Sequence, residues 1–167
     1  ENKITISSIG ISVMPGYLVA WNKETCRPLS GCLLPNNTLS KSLFQEFKFS
    51  SFYSMFKEGH GTIIDGSPNV AINLWCLSKK IKSKKDEQLV ISSIDTWINY
   101  FMTDCNEESF VASPSLVKEL CFSQDDWDGP LLNVLGFNPN QFPIIKDKKV
   151  LMTKDFPPLD DGIPITY

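Results

Sequence analysis

The stretch "VISSIDTWINYFMTD", residues 90–104, decides how this chain is expected to fold. It begins inside a short apolar segment, 88–93, whose β-branched residues favour a buried strand. Ser93 follows at a position that suits a helix N-cap, and Asp95 lies in the first turn, where a negative charge is favourable. A strand that runs directly into a capped helix is typical of chains in which strands and helices alternate.

The segments that flank this stretch predict further strands. Residues 3–13 alternate apolar and polar side chains, and "YLVAWN" at 17–22 predicts a second strand after a turn. Residues 30–37 predict a short third strand, which ends at a proline and an asparagine pair. Residues 148–153 predict the last strand of the chain.

Two longer helices are predicted between these strands. Residues 38–58 carry leucine and phenylalanine at helical spacing, with Ser40 or Thr38 as the N-cap. Pro68 begins a second amphipathic helix, which ends in lysines that suit the negative end of the helix dipole. The alternation of elements predicts an α/β or α+β fold.

The composition bounds the class of protein. The chain has 167 residues, 42% of them hydrophobic and 21% charged, which is enough for one domain with a sizeable core. Its net charge of −3 offers no electrostatic reason to expect nucleic-acid binding. No apolar run reaches eighteen residues, so no membrane-spanning segment is expected. The abrupt start without a methionine indicates a piece of a longer protein, or a processed form.

The cysteines give no signature of a disulfide framework or a zinc site. Their number is odd, no CxxC pattern occurs, and they are therefore expected to be free thiols in a reducing, intracellular compartment, either the cytoplasm or a mitochondrial assembly. The five positions are Cys26, Cys32, Cys76, Cys105 and Cys121.

Few residues suggest chemistry by themselves. His60, the only histidine, lies in "EGHG" and is predicted to be an exposed loop residue, because no partner for it can be found in the sequence. Asp125, Asp126 and Asp128 are more simply explained as the acidic cap of a helix than as a cation site. The phosphate-loop patterns GxxxxGK[ST] and GxGxxG are both absent, and no metal ligands are predicted.

The aromatic segment 44–56, "FQEFKFSSFYSMF", has three possible interpretations. Aromatic side chains at near-helical spacing usually belong to a core or to an interface with a partner, and less often line a ligand groove. We treat this segment as a candidate surface for a protein partner.

Several motifs, taken in order, resemble the N-terminal domain of the FGGY carbohydrate kinases, and most closely the glycerol kinases among them. The motifs are "ISSIGIS", "LVAWNKETCRPL", "INLWCL", "VISSIDTWINYFMTD", "LCFSQDDWD", "LLNVLGFNPNQFP" and "GIPITY". Each motif is weak alone, but the ordered set is specific and covers nearly the whole chain. The resemblance implies an α/β fold of the ribonuclease-H/actin-like type, with a mixed sheet and flanking helices. It also implies ATP-dependent phosphoryl transfer to a polyol.

The resemblance also implies a division of the chain. Residues 1–157 would form part of the kinase N-terminal domain, and 158–167 would be an extended linker toward a second domain. The family's phosphate loop, of the type "D.GT", would precede residue 1, and its adenosine-binding glycine pair would follow residue 167. No cofactor is therefore expected within this segment. ATP and Mg²⁺ are expected only if the full-length protein is an active kinase.

The functional positions of the family do not retain their chemistry in this chain. The residues found at the matched substrate-binding positions are Pro15, Gly16, Pro35 and Ser67. The matched position for the catalytic base is Ala112, or Ser113 after a one-residue slip. None of the six supplies a group that accepts a proton at neutral pH without an activating partner.

Three functional hypotheses follow. The first is a degenerate, catalytically inactive domain with a structural or protein-interaction role, in contact with a partner or with the remaining kinase domain. The second is an active ATP-dependent carbohydrate or polyol kinase with a rebuilt substrate site, in which Glu107 or Glu108 acts as the base. The third is an unrelated α/β binding module. A polar turn after the preceding helix explains both glutamates without any catalytic role.

Overall fold

The computed structural model of the chain describes residues 5–14, 16–31, 40–66, 69–114, 121–123, 126–147 and 150–166. Its strands, in chain order, are β1 (Ile9–Gly10), β2 (Leu18–Asn22), β3 (Leu89–Ser93), β4 (Val111–Ala112), β5 (Cys121–Ser123), β6 (Asp126–Trp127), β7 (Ile144–Ile145), β8 (Leu151–Met152) and β9 (Pro164–Thr166). Its α-helices are α1 (Lys41–Lys48), α2 (Ser51–His60), α3 (Val70–Lys80), α4 (Ile94–Met102) and α5 (Gly129–Val134). In the same part of the chain, 3₁₀ helices span Glu107–Ser109 and Pro139–Gln141.

The strands of the described residues form one mixed sheet and three two-stranded pairs. In the mixed sheet β9 lies between β1, to which it is parallel, and β8, to which it is antiparallel. The pairs are β2–β3 and β5–β6, both antiparallel, and β4–β7, which is parallel. The predicted α/β class with a mixed sheet and flanking helices is thereby confirmed.

Two predicted strands are shorter than their sequence patterns. In the described residues of these segments, 5–13 and 150–153, the strands are Ile9–Gly10 and Leu151–Met152. Both are edge strands that pair with β9, whose own length is three residues. An alternating pattern becomes a strand only where a neighbouring backbone pairs with it. Most of the strand predicted at 30–37 lies outside the described residues.

The single helix predicted over 38–58 is in fact two helices. Ser40 caps the first, as predicted, and its hydroxyl accepts a hydrogen bond from the Leu43 amide at 3.3 Å. Ser50 separates the two helices: its hydroxyl donates to the Phe47 carbonyl at 2.6 Å and accepts from the Tyr53 amide at 3.1 Å. The Ser50 side chain therefore ends α1 and begins α2.

The interpretation of 44–56 as a partner surface is wrong for most of its aromatic residues. Phe47, Phe52, Tyr53 and Phe56 are all buried in the main core. Only Phe49, at the C-cap of α1, is strongly exposed, at 85%. The aromatic spacing of this segment therefore reflects the packing of α1 and α2 against α3.

The β2–β3 pair is buried on both faces and separates two hydrophobic clusters. Leu18 and Ala20 of β2 lie in the main cluster, with the aromatic side chains of α1 to α3. Val19 and Trp21 point the opposite way, into a smaller cluster with Tyr100 and other side chains. The alternation of β2 side chains follows from the two-residue period of a strand.

Residues 158–167, predicted to be an extended linker, include a strand of the sheet. Pro164–Thr166 is extended, but it pairs as β9 between β1 and β8. The division at residue 157 and the second domain beyond it stay predictions. In the described part of the chain, no helix is long and apolar enough to cross a membrane.

Candidate functional site

Hydroxyl side chains join the junction of β3 and α4 to β4 at one edge of the fold. Leu18 at the start of β2 pairs with Ser93, which is the N-cap residue of α4. The Thr96 hydroxyl donates to the Val111 carbonyl at 2.8 Å. Because a hydroxyl has one proton, the 3.1 Å contact between the Ser93 and Thr96 hydroxyls is a donation by Ser93. Two positions matched to the kinase site, Gly16 and Ala112, lie within two residues of this network.

Gly16 serves the backbone at this edge and has no side chain to offer. Its φ of +91° is in the left-handed region that favours glycine. A Cβ at this position would lie 3.4 Å from the backbone nitrogen of Val70, at the start of α3. The buried Asn73 side chain donates a hydrogen bond to the Gly16 carbonyl. The turn before β2 is thereby held against α3.

The positions matched to the catalytic base lie in a strand and directly after it. Ala112 is fully buried in the main hydrophobic cluster, and its carbonyl accepts a hydrogen bond from the Lys146 amide at 3.1 Å. Ser113 is partly buried. A methyl group inside the core cannot accept a proton, so Ala112 performs only a packing role.

Glu107 and Glu108 are both exposed, in the 3₁₀ helix after α4. The Glu107 carboxylate accepts a 2.6 Å hydrogen bond from the Lys23 ammonium, and its side chain is 71% exposed. The Glu108 amide is bonded to the Asn106 side chain, which is a helix cap. The two carboxylates therefore face solvent, as expected of a polar turn.

A tyrosine and a lysine beside Glu107 complete the local electrostatics. Burial first, and then the negative charge of Glu107, raise the pKa of the Tyr100 phenol, which stays protonated throughout the neutral range. The Lys23 ammonium lies 4.5 Å from the centre of the Phe110 ring, in a cation–π contact. The contact between Lys23 and Glu107 therefore links the turn after β2 to the turn after α4.

His60 is not the exposed loop residue that the sequence predicts. It is the last residue of α2, its side chain is 9% exposed, and its ring stacks on Phe56 with the centres 4.9 Å apart. Its Nε2 atom lies 3.7 Å from Oδ2 of Asp128, a carboxylate that is also buried. The prediction failed because the partner of His60 lies on a distant segment of the chain.

Asp128 confirms the cap interpretation of the acidic segment. Its Oδ1 accepts a 2.9 Å hydrogen bond from the Leu131 amide and so caps α5. Asp126 is exposed, and its carboxylate accepts a 2.8 Å hydrogen bond from the neighbouring Trp127 amide. Asp125 lies outside the described residues. Within the part of the chain that the structure describes, no three His, Cys, Asp or Glu side chains are grouped to hold a metal ion.

An open cleft of about 650 Å³ adjoins the pair formed by His60 and Asp128. Its lining comes from the end of α2, from β6 and from the start of α5, and includes Glu58, Gly59, Trp127 and Pro130. The Trp127 indole is fixed by a 2.7 Å hydrogen bond to the Pro143 carbonyl. The cleft therefore lies where α2 packs against α5, and carboxylates lie at its rim.

Replacing Asp128 with alanine is expected to lower the free energy of unfolding by about 1–2 kcal/mol. The change removes the cap of α5 and the carboxylate beside His60. Urea denaturation measures the loss as a lower midpoint at constant slope. Asp126→Ala is the matched control and is expected to change stability by less than about 0.5 kcal/mol. Equal losses in the two variants would contradict the capping role.

Several site positions lie outside the described residues, namely Pro15, Pro35 and Ser67. Sequence reasoning missed the pairing of Lys23 with Glu107 and that of His60 with Asp128. Neither pair has a local signal, because its members are far apart in the chain. The Ser93–Thr96 network had a signal, since hydroxyl residues at a strand-to-helix junction commonly bond to nearby backbone.

Comparison with known proteins finds glycerol kinases among the relatives of this chain. The chain is 25% identical over 168 residues to glycerol kinase from Bacillus subtilis (strain 168). The matched region covers 96% of this chain and 34% of that kinase. It is 22% identical over 146 residues to glycerol kinase from Vibrio vulnificus (strain YJ016), covering 84% of this chain and 29% of that protein. No protein-family model matches the chain. The chain spans about a third of the length of these curated relatives.

Solved structures share the fold at lower identity. The crystal structure of Plasmodium falciparum glycerol kinase with ADP matches with a TM-score of 0.70 at 20% identity, over 97% of this chain and 33% of the other. The ligand-bound xylulose kinase from Lactobacillus acidophilus matches with a TM-score of 0.64 at 18% identity, over 98% of this chain and 34% of the other. The predicted resemblance to the FGGY carbohydrate kinases, and the ribonuclease-H/actin-like fold it implies, are confirmed.

Proposed function

We propose that this chain, which has the fold of the FGGY carbohydrate kinases, is a degenerate glycerol-kinase-like domain with a structural or protein-interaction role. The carrying observation is Gly16. At a position matched to a substrate-binding residue, the chain has a left-handed glycine whose carbonyl is bonded to Asn73 and whose missing Cβ would touch α3. A longer side chain at this position would strain the backbone, so the turn favours glycine for structural reasons.

The motifs that carry the resemblance support a framework role. Three of their tryptophans donate indole hydrogen bonds: Trp21 to the Ser92 hydroxyl, Trp97 to the Cys26 carbonyl and Trp127 to the Pro143 carbonyl. These bonds connect segments that lie far apart in sequence. The motifs that resemble the kinases therefore contain residues that hold the fold together.

The alternative of an active kinase with a rebuilt site finds little support at Glu107. A general base must come within hydrogen-bond reach of the hydroxyl that it deprotonates. The Glu107 carboxylate is bound to Lys23 and is mostly exposed to water. Its use as a base would require it to leave Lys23 and enter a substrate site.

Two further proposals concern the cofactor and the cellular compartment. ATP and Mg²⁺ belong to this protein only if other segments complete a kinase. The protein is expected in an intracellular, reducing compartment.

Glycerol-dependent ATP turnover by the full-length protein tests the proposal. We expect no turnover above the rate without glycerol, because the matched positions offer no substrate-binding side chains. Glycerol kinase from Bacillus subtilis, measured under the same conditions, is the positive control. Turnover on the order of 1–100 s⁻¹ would refute the proposal. Loss of that turnover in Glu107→Gln or Glu108→Gln would identify the rebuilt base.

A further inference from the structure

Two cysteine side chains meet beside the smaller hydrophobic cluster. The Sγ atoms of Cys26 and Cys105 are 3.0 Å apart, although 79 residues separate them in the chain. Both are free thiols; Cys26 is buried and Cys105 is partly exposed. A disulfide bond has an S–S length of about 2.05 Å, so the sulfurs need to approach each other by only about 1 Å.

The two turns that carry these cysteines are held in place independently of the sulfurs. The Cys26 carbonyl accepts a 2.9 Å hydrogen bond from the Trp97 indole. The Cys105 amide donates at 2.9 Å to the Tyr100 carbonyl, at the end of α4. Lys23 and Glu107 join the same two turns through their 2.6 Å ion pair. The contact between the thiols therefore belongs to the native packing of two fixed turns.

We propose that Cys26 and Cys105 are a covalent modification site, at which oxidised glutathione converts the two thiols into an intramolecular disulfide. The inference goes beyond the proposed function and does not depend on it. It requires only that the fold of the described residues persists in the full-length protein.

The reaction balances as two thiol–disulfide exchanges. The more exposed Cys105 loses its proton, and its thiolate attacks one sulfur of oxidised glutathione, whose S–S bond breaks and releases one glutathione thiolate. The Cys26 thiolate then attacks the Cys105 sulfur of the mixed disulfide and expels the second glutathione thiolate. Each departing thiolate takes up one of the protons that the cysteines release. Two protein thiols are oxidised, and one glutathione disulfide is reduced to two thiols.

The environment of Cys26 predicts how the second exchange depends on pH. While both thiols are reduced, burial first, and then the hydrogen bond with Cys105, raise the pKa of the Cys26 thiol to about 12. The burial contribution, which is the larger, does not depend on the Cys105 thiol. Since the thiolate is the nucleophile, we expect the link to form faster at pH 9 than at pH 7. At pH 7 the mixed disulfide with glutathione should accumulate before the link closes.

Peptide mapping of the full-length protein tests the site. The protein is incubated with oxidised glutathione, its remaining thiols are alkylated, and it is digested and analysed by mass spectrometry without reduction. We expect a linked pair of peptides that contains Cys105 and the segment 24–41. That segment also carries Cys32, so fragmentation must locate the bond at Cys26.

Four variants make the assignment specific. Cys26→Ser and Cys105→Ser are each expected to abolish the linked pair, whereas Cys32→Ser and Cys76→Ala are expected to retain it. A link from Cys105 to Cys32, or a mixed disulfide at Cys105 that never resolves at pH 9, would overturn the proposal.

Thermal unfolding tests whether the link fits the native fold. A cross-link between residues 79 positions apart restricts the unfolded chain, so the oxidised protein should melt roughly 5–15 °C higher than the reduced protein. Cys105→Ser should show no such difference between oxidised and reduced samples. A lower melting temperature after oxidation would show that the bond distorts the fold, and would overturn the native geometry on which the proposal rests.

Discussion

Replacing Trp21 with alanine is expected to lower the free energy of unfolding by about 3–5 kcal/mol. The Trp21 side chain is completely buried in β2. Its ring centre lies 5.1 Å from that of Tyr100 and 5.9 Å from that of Phe110. The substitution removes these ring contacts and leaves a cavity that the fixed strand pair β2–β3 cannot close.

Trp21→Phe is the matched control for the loss of the ring. Phenylalanine keeps an aromatic ring in the cluster but removes the 3.0 Å hydrogen bond from the indole to the Ser92 hydroxyl. Ser92 still donates to the Ser93 carbonyl, so a smaller loss of about 1–2 kcal/mol is expected. Urea denaturation at constant slope measures both values. Equal losses in the two variants would show that ring packing is not the dominant contribution.

Replacing Phe47 with alanine is expected to cost the fold a similar amount, about 3–5 kcal/mol. Phe47 is fully buried at the point where α1, α2 and α3 meet. Its ring centre lies 5.0 Å from that of Tyr53 and 5.4 Å from that of Trp75. Its carbonyl also accepts the Ser50 hydroxyl at the junction of α1 and α2, but that backbone bond persists in the variant.

Phe49→Ala separates burial from aromatic content. Phe49 lies two residues further along the chain but is 85% exposed. Its replacement should change the free energy of unfolding by less than about 0.5 kcal/mol. Chemical denaturation of the three proteins, wild type and both variants, decides the matter. A large loss for Phe49→Ala would show instead that this exposed ring is covered by another part of the protein.

The two stability predictions also concern function, because each tests a part of the core that contains a motif resembling the kinases. Trp21 and Phe47 lie on opposite sides of the β2–β3 pair. Trp21 belongs to one of the motifs that resemble the kinases, and Trp75, which packs on Phe47, belongs to another. Stability that depends on these motifs, together with absent glycerol turnover, is the combination expected of a domain kept for its framework.

Much of the element order could be predicted from local patterns. The strand at 88–93, the helix that follows it and the Ser40 cap are all present near their predicted positions. The aromatic segment 44–56 was harder, since ring spacing alone does not tell a core from an interface. The hydrogen bonds of the Ser50 hydroxyl divide this segment into two helices. They could not be predicted, because Ser50 lies within a continuous helical pattern.

The candidate site was less predictable than the fold. Matching motifs could indicate which positions had changed, such as Gly16 and Ala112, but not what those residues do. The backbone angle of Gly16 and the burial of Ala112 are properties of the folded chain. The environment of Glu107 likewise could not be predicted from the sequence, because its partner Lys23 lies 84 residues away in the chain.

By itself, the sequence determined the alternation of strands and helices, the caps at Ser40 and Asp128 and the resemblance to the FGGY kinases, since these depend on neighbouring residues and on motif order. Only the tertiary structure decided that Cys26 meets Cys105 and that His60 faces Asp128. The physical reason is that side-chain periodicity and capping act over a few residues, whereas these contacts arise when distant segments pack around a common core.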